Sequence, residues 1–204
     1  MLQRPDRIAV LGGVFMMKSR RRFLEGVGAT GIAVTVAGSS AQQQQIDDKY
    51  PLREIRLDRE RCFLWASTSL HIWPEKYLLV SLPTSSLPQA ANIVSRCAET
   101  FAALVMERDE VSLTVPEQVW RTQQLKASAQ DGPYRVVTLD LSLNLDVFGY
   151  FAPAAVALAN AGISIVPQSA YLKDHVVVHE KDLKTTVTVL EKLIEDCRSA
   201  AKAK

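Results

Sequence analysis

Three cysteines in 204 residues, at positions 62, 97 and 197, form no C-x-x-C pair and read as small buried apolar residues, although in an exported chain two could pair and leave one free. G-x-S-x-G, H-E-x-x-H and the phosphate-binding P-loop are all absent, which removes the usual sequence marks of a nucleophile elbow, a zinc hydrolase or a nucleotide triphosphatase. Histidine is scarce as well. His175 and His179 flank Val176-Val-Val178, a β-forming run; on a strand, positions four apart share a face but lie roughly 13 Å apart, too far to hold one ion. His71 stands alone beside Trp73-Pro74. Long hydrophobic runs are missing too, and the weakly apolar stretch 27–37 is too short to span a bilayer.

The excess of positive charge is local. Residues 1–41 hold six of the 24 Lys and Arg and two of the 22 Asp and Glu, which leaves 18 basic against 20 acidic residues, a net charge of −2, in the remainder. No basic block or basic–aromatic stripe survives there, so nucleic acid is not an expected partner. Ser19-Arg20-Arg21-Arg22-Phe23-Leu24 matches the twin-arginine export pattern, followed by an apolar stretch and Ser39-Ser-Ala41 as a cleavage site. The expectation is export by that route. The alternative is a disordered or mis-started tail on a cytoplasmic protein. Gly26-Val-Gly-Ala-Thr-Gly31 spells G-x-G-x-x-G, but it follows arginines rather than a strand and lacks a βαβ setting, so no dinucleotide or other cofactor is expected.

A polar linker follows at 42–51, rich in glutamine. Short strands are expected at 53–57 and 61–66. Residues 77–82 predict a firm strand ended by Pro83. Residues 89–99 read as a helix with Ala90, Ile93, Val94 and Cys97 on one face. A hairpin is expected from 100–106 and 111–115 around Glu107-Arg-Asp-Glu110, closed by Pro116. The second helix of this half is missing or worn down, and residues 123–133 form a connection.

The last third is more regular. Residues 134–143 alternate apolar and polar side chains, the period of a half-buried strand. Residues 144–150 form a loop in which Gly149 can adopt a backbone conformation closed to other residues. An alanine-rich helix starts near Pro153 and ends at Gly162. Strands are expected from Ile163 and from His175, and Leu183, Val187, Leu190, Ile194 and Cys197 mark a final amphipathic helix. The order is one ferredoxin-like βαββα unit. No strand follows the last helix, so the fourth strand must come from elsewhere. The expected donor is the segment around 53–66, with a partner chain as the alternative.

Residues 149–169, Gly-Tyr-Phe-Ala-Pro-Ala-Ala-Val-Ala-Leu-Ala-Asn-Ala-Gly-Ile-Ser-Ile-Val-Pro-Gln-Ser, together with Asp174, resemble the core of ACT domains. These are the small amino-acid-sensing modules of aspartate kinases and related enzymes. The closest likeness is to the tandem ACT type of the CASTOR arginine sensors. It covers about 70 residues well, with a weaker echo over 77–120. It implies an α+β fold of two ferredoxin-like halves (βαββαβ) with antiparallel sheets, a degenerate one at 52–122 and a better-matched one at 133–200. It further implies a regulatory protein with no catalysis, binding an amino acid or a similar zwitterion. The competing reading is a structural module that pairs sheet edges with a second copy or another protein and takes no ligand.

The expected ligand site is the loop: Asn144, Asp146, Phe148, Gly149 and Tyr150. It joins a strand end to a helix start, where free N–H groups and the helix dipole favour a carboxylate. Asp146 would face an ammonium or basic group. The resemblance adds the next strand, with Ile163, Ser164, Val166, Gln168 and Ser169. The plain alternative is that Asn144 and Asp146 are turn residues, Gly149 serves geometry, and Ser169 and Asp174 shape a hairpin. The aspartate usual in the family at the place of Asn144 is lost or displaced to Asp146, which leaves the ligand's identity open.

Overall fold

In the computed structural model, residues 57–202 are described; the export-like segment, the G-x-G-x-x-G match, the linker and the strand expected at 53–57, Leu57 apart, lie outside them. The described residues open with helix α1 (Arg59–Ser67) and strand β1 (Ser69–Ile72). Then the order βαββα occurs twice. The first round is β2 (Tyr77–Leu82), α2 (Leu87–Ser95), β3 (Ala103–Met106), β4 (Val111–Pro116) and α3 (Glu117–Arg121). The second is β5 (Ala129–Asp140), α4 (Ala152–Asn160), β6 (Ile165–Ser169), β7 (Asp174–His179) and α5 (Leu183–Lys202). The worn-down helix of the first round is the five-residue α3; its counterpart α5 has 20 residues.

All strands join one antiparallel sheet in the order β3-β4-β2-β5-β7-β6, with β1 added beside β5. β5 is the shared member. Its first residues pair with β2 (Tyr77↔Tyr134, Ser81↔Ala129), while its last four pair with β1 (Ser69↔Asp140, Ile72↔Val137). Residues 129–133, expected as connection, therefore already belong to the sheet.

The expected strand at 61–66 is a helix. Asp58 caps it by accepting the Arg61 N–H at 2.9 Å. A strand would turn Phe63 and Trp65 to one face; here Trp65 is 0 % exposed and Phe63 is 67 % exposed. The strand propensity of Cys-Phe-Leu-Trp is overridden by tertiary packing, in which the helix sets Trp65 fully in the core and leaves Phe63 outside. The strand that completes the second round is instead β1, a few residues further along.

Strand alternation divides the core. Leu78, Val80 and Leu82 with Val111, Leu113 and Val115 meet Ala90, Ile93 and Trp120 of α2 and α3. Val137, Leu139, Val176 and Val178 meet Trp65, Ala154, Leu158, Leu190 and Ile194 of α1, α4 and α5. The other face carries Tyr77, Phe101, Tyr134, Val136 and Val177 as a third cluster. The sheet curls around it: Gln168 Nε2 of β6 donates to Thr114 Oγ1 of β4 at 2.5 Å, although three strands lie between them.

Candidate functional site

β5 ends at Asp140, and the chain crosses to α4 through residues 141–151. The Val147 N–H returns to the Asn144 carbonyl at 3.1 Å, closing a turn that leaves Asn144, Leu145 and Asp146 exposed. Gly149 has φ +71°, a left-handed conformation that side chains resist. The helix that follows has no side-chain cap, and with Pro153 in its first turn only Ala152 and Ala154 carry N–H groups ahead of the first helical bond, Ala155 N–H to the Phe151 carbonyl at 3.1 Å. Asp146 makes no ion pair or hydrogen bond with the described residues.

Arg61 of α1 is the residue that the sequence did not reveal. Its guanidinium lies 4.9 Å from the Phe148 ring centroid, and a Cβ on Gly149 would stand 3.4 Å from its Nε. Asp58 holds the same guanidinium at 3.0 Å. Reading 61–66 as a strand hid this contact; the Asp58 cap signal before Arg59-Glu60-Arg61 could have placed Arg61 on a first helical turn.

The expected site residues do not converge on one pocket. Asn144, Asp146, Phe148 and Gly149 share the exposed loop; Phe148 is 75 % exposed. Tyr150 faces inward: its ring stacks on Trp65 at 5.0 Å, its hydroxyl meets Thr68 Oγ1 at 2.8 Å, and burial pushes its phenol up to about 12. Ile163 is buried in the same core, and Ser164 is exposed beyond the far end of α4. Val166 and Gln168 point into the curled face. Ser169 pairs with Asp174 across the β6–β7 hairpin, its Oγ donating to Oδ1 at 2.6 Å.

Ser169 and Asp174 nevertheless reach the loop's end of the sheet, because β6 finishes, β7 begins and β5 finishes there. An Asp140–Lys173 ion pair and the Leu143 N–H to Leu172 carbonyl bond (3.0 Å) fasten the hairpin tip to the start of the loop. Two shallow hollows, of about 580 and 520 Å³, lie elsewhere. One is between Pro88–Ile93 and Gln123–Leu125, the other around Trp120, Gln130 and Asp131; no loop residue lines either.

The two strand histidines turn toward the curled face. His179 stacks on Tyr134 at 4.4 Å, while His175 is buried against Phe101. Trp73 Nε1 donates to Thr138 Oγ1 at 2.9 Å, and the same hydroxyl shares a hydrogen bond with His175 Nδ1 at 2.8 Å. Burial lowers the His175 pKa from 6.5, with nearby Asp174 pulling upward and Lys173 downward by less. A depressed folded pKa means that the unfolded chain takes up the proton first as pH falls. Stability is therefore complete above about pH 6.5 and declines below it, by at most about 1.4 kcal/mol per pH unit until the folded pKa is reached. Urea midpoints measured from pH 7.5 to 5 should show this slope, and His175→Gln should flatten it; an equal slope in the variant refutes the assignment. Among the described residues, no cluster of three His, Cys, Asp or Glu is placed to hold a metal ion, and no helix is long and apolar enough to cross a membrane.

Residues 131–192 match the family model of the ACT domain, from β5 into α5 and across the whole loop. Among solved structures, a protein of unknown function from Vibrio cholerae, described as a possible transport protein, shares 21 % identity and a TM-score of 0.51, over 65 % of this chain and 94 % of that one. A protein from Agrobacterium tumefaciens shares 22 % identity and a TM-score of 0.51, over 62 % and 89 %. The regulatory subunit of aspartate kinase from Thermus flavus is similar at 12 % identity and a TM-score of 0.43, over 62 % and 95 %. No curated protein matches the sequence. The fold is the ferredoxin-like α+β fold of ACT domains.

Proposed function

From the ACT domain that residues 131–192 form, we propose that this protein is a non-catalytic regulatory protein that binds a free amino acid or a similar small zwitterion. One observation carries the reading. The family match spans a loop that carries an exposed carboxylate, Asp146, and meets the Arg61 guanidinium at Phe148 and Gly149 shortly before a helix with no side-chain cap. The ligand's carboxylate would take the Ala152 N–H at the start of α4 and share the Arg61 guanidinium with Asp58. Its ammonium would face Asp146, with Asn144 bonding to either end. Gly149 lets a ligand approach the backbone, and Phe148 offers a ring to cover it. Occupation would select one arrangement of loop and α1, and the shift in population is the signal.

A thermal-shift screen of the full chain against the twenty amino acids tests this. A ligand at a hundred times its dissociation constant adds roughly 2.7 kcal/mol, about 5–10 °C for a chain of this size. The expected result is a selective rise with one amino acid or a chemically related few. Asp146→Ala should abolish that rise while leaving the unliganded melting temperature unchanged, since the side chain is exposed and unpaired. A rise that persists in Asp146→Ala refutes the site. A flat screen refutes the sensor and favours the second reading, a module that pairs sheet edges with another chain. Edge strand β3 supports that alternative, with Val105 and Met106 55 % and 54 % exposed.

A further inference from the structure

α1 and α5 lie side by side, and two of the three cysteines sit in their seam. Cys62 of α1 is half-buried; Cys197 of α5 is buried in the core. The Cys62 thiol donates to the Cys197 carbonyl at 3.6 Å, so its sulfur already points at the other residue's backbone. The neighbouring Arg198 donates to the Ala66 carbonyl at 3.0 Å and the Thr68 carbonyl at 3.4 Å, fixing this stretch of α5 against the end of α1. Cys97 is elsewhere: it is buried just after α2, its thiol donating to the Ile93 carbonyl at 3.5 Å.

We propose that Cys62 and Cys197 are a redox pair, closing into a disulfide that staples α1 to α5 when the chain meets a disulfide oxidant such as oxidised glutathione. The half-buried thiol reacts first. The Cys62 thiolate attacks one sulfur of the oxidant and expels one glutathione thiolate, leaving a mixed disulfide. The Cys197 thiolate then attacks Cys62 Sγ and expels the second. Two cysteine thiols and one glutathione disulfide become one protein disulfide and two glutathione thiols. Two electrons pass to the oxidant, and the two protons end on its thiols. Burial, and after it the adjacent Cys62, push the Cys197 thiol up to about 12. Capping Cys62 removes the second of these influences just when Cys197 must ionise, so the chemistry is ordered, with Cys62 attacking and Cys197 resolving.

The staple would link positions 135 apart, most of the described chain, and long closed loops take the most entropy from the unfolded ensemble. It would also hold α1, and with it Arg61, against the loop at Gly149. This inference stands on the helix seam alone and does not require a ligand.

The test incubates the full chain with oxidised or reduced glutathione, traps free thiols with iodoacetamide, and maps non-reduced peptides by mass spectrometry. The oxidised sample should yield a Cys62–Cys197 linked peptide with Cys97 alkylated, and a melting temperature at least about 5 °C above the reduced sample. Cys62→Ser and Cys197→Ser should each lose both results, and Cys97→Ser should keep them. Three alkylated thiols, a persistent Cys62–glutathione adduct, or a linkage through Cys97 in the oxidised wild-type chain would overturn the proposal without recourse to any variant.

Discussion

Trp65→Ala is expected to destabilise the protein by about 3–5 kcal/mol, the range for removing a large buried aromatic. Trp65 has no exposed surface, and it packs with Leu139, Leu158 and Ile194 in the core under α1. Its ring stacks on Tyr150 with an interplanar angle of 16°, and its Nε1 donates to the Tyr150 carbonyl at 3.0 Å. Tyr150 is tied in turn to Thr68, whose hydroxyl donates to the Leu64 carbonyl at 2.9 Å. The substitution thus opens a cavity, strands a buried carbonyl and frees the end of the 144–150 loop. At roughly 2–4 °C per kcal/mol, the melting temperature should fall by about 6–20 °C. Trp65→Phe separates the causes. It restores most of the volume but leaves the carbonyl unpaired, and should cost about 1–3 kcal/mol. A loss of under about 3 °C in Trp65→Ala would show that α1 contributes little to the folded state.

Gly132→Ala is the second large effect. Gly132 sits in β5 where the β2–β5 register shifts between Tyr77 and Leu79. Its φ is +151°, and an added Cβ would lie 2.6 Å from Leu78 Cδ2 and 2.9 Å from the Tyr77 carbonyl oxygen. The leucine end can move; the carbonyl belongs to a paired strand and cannot move without disturbing the pairing. We expect a loss of about 2–4 kcal/mol from the clash and the backbone strain together. Gly162→Ala is the internal control. Gly162 ends α4 at φ +71°, its N–H bonded to the Ala159 carbonyl at 2.9 Å, and an added Cβ meets nothing within 4 Å. Only the conformational cost remains there, about 1–2 kcal/mol. Denaturant midpoints of the two variants should rank in that order. Equal losses would mean that close approach to β2 plays no part at Gly132.

Elements whose stability comes from their own pattern were legible in the sequence. β2 runs from Tyr77 to Leu82 and stops before Pro83; α4 stops before Gly162; the stripe of Leu190, Ile194 and Cys197 is buried along α5. In each, alternation, helical spacing or a chain-breaking residue carries the information within a dozen positions. His175 and His179 fall on a strand for the same local reason. The ferredoxin-like order and the likeness to ACT domains followed from those elements.

What tertiary structure decided is partnership. The run Cys62-Phe-Leu-Trp65 suits a strand by propensity, but the buried slot for Trp65 between Tyr150 and α5 exists only in the folded core, and it selects a helix. Once α1 is a helix, Ser69–Ile72 rather than 61–66 becomes the strand beside β5, and Arg61 comes to stand at Gly149. The same long-range packing sent Tyr150 and Ile163 into the core and left Asp146 and Phe148 outside. It also set Cys62 beside Cys197. Residue types and local periods were written along the chain. Which side chains meet across more than a hundred positions was settled by the competition for buried apolar area, a quantity that no short window of sequence contains.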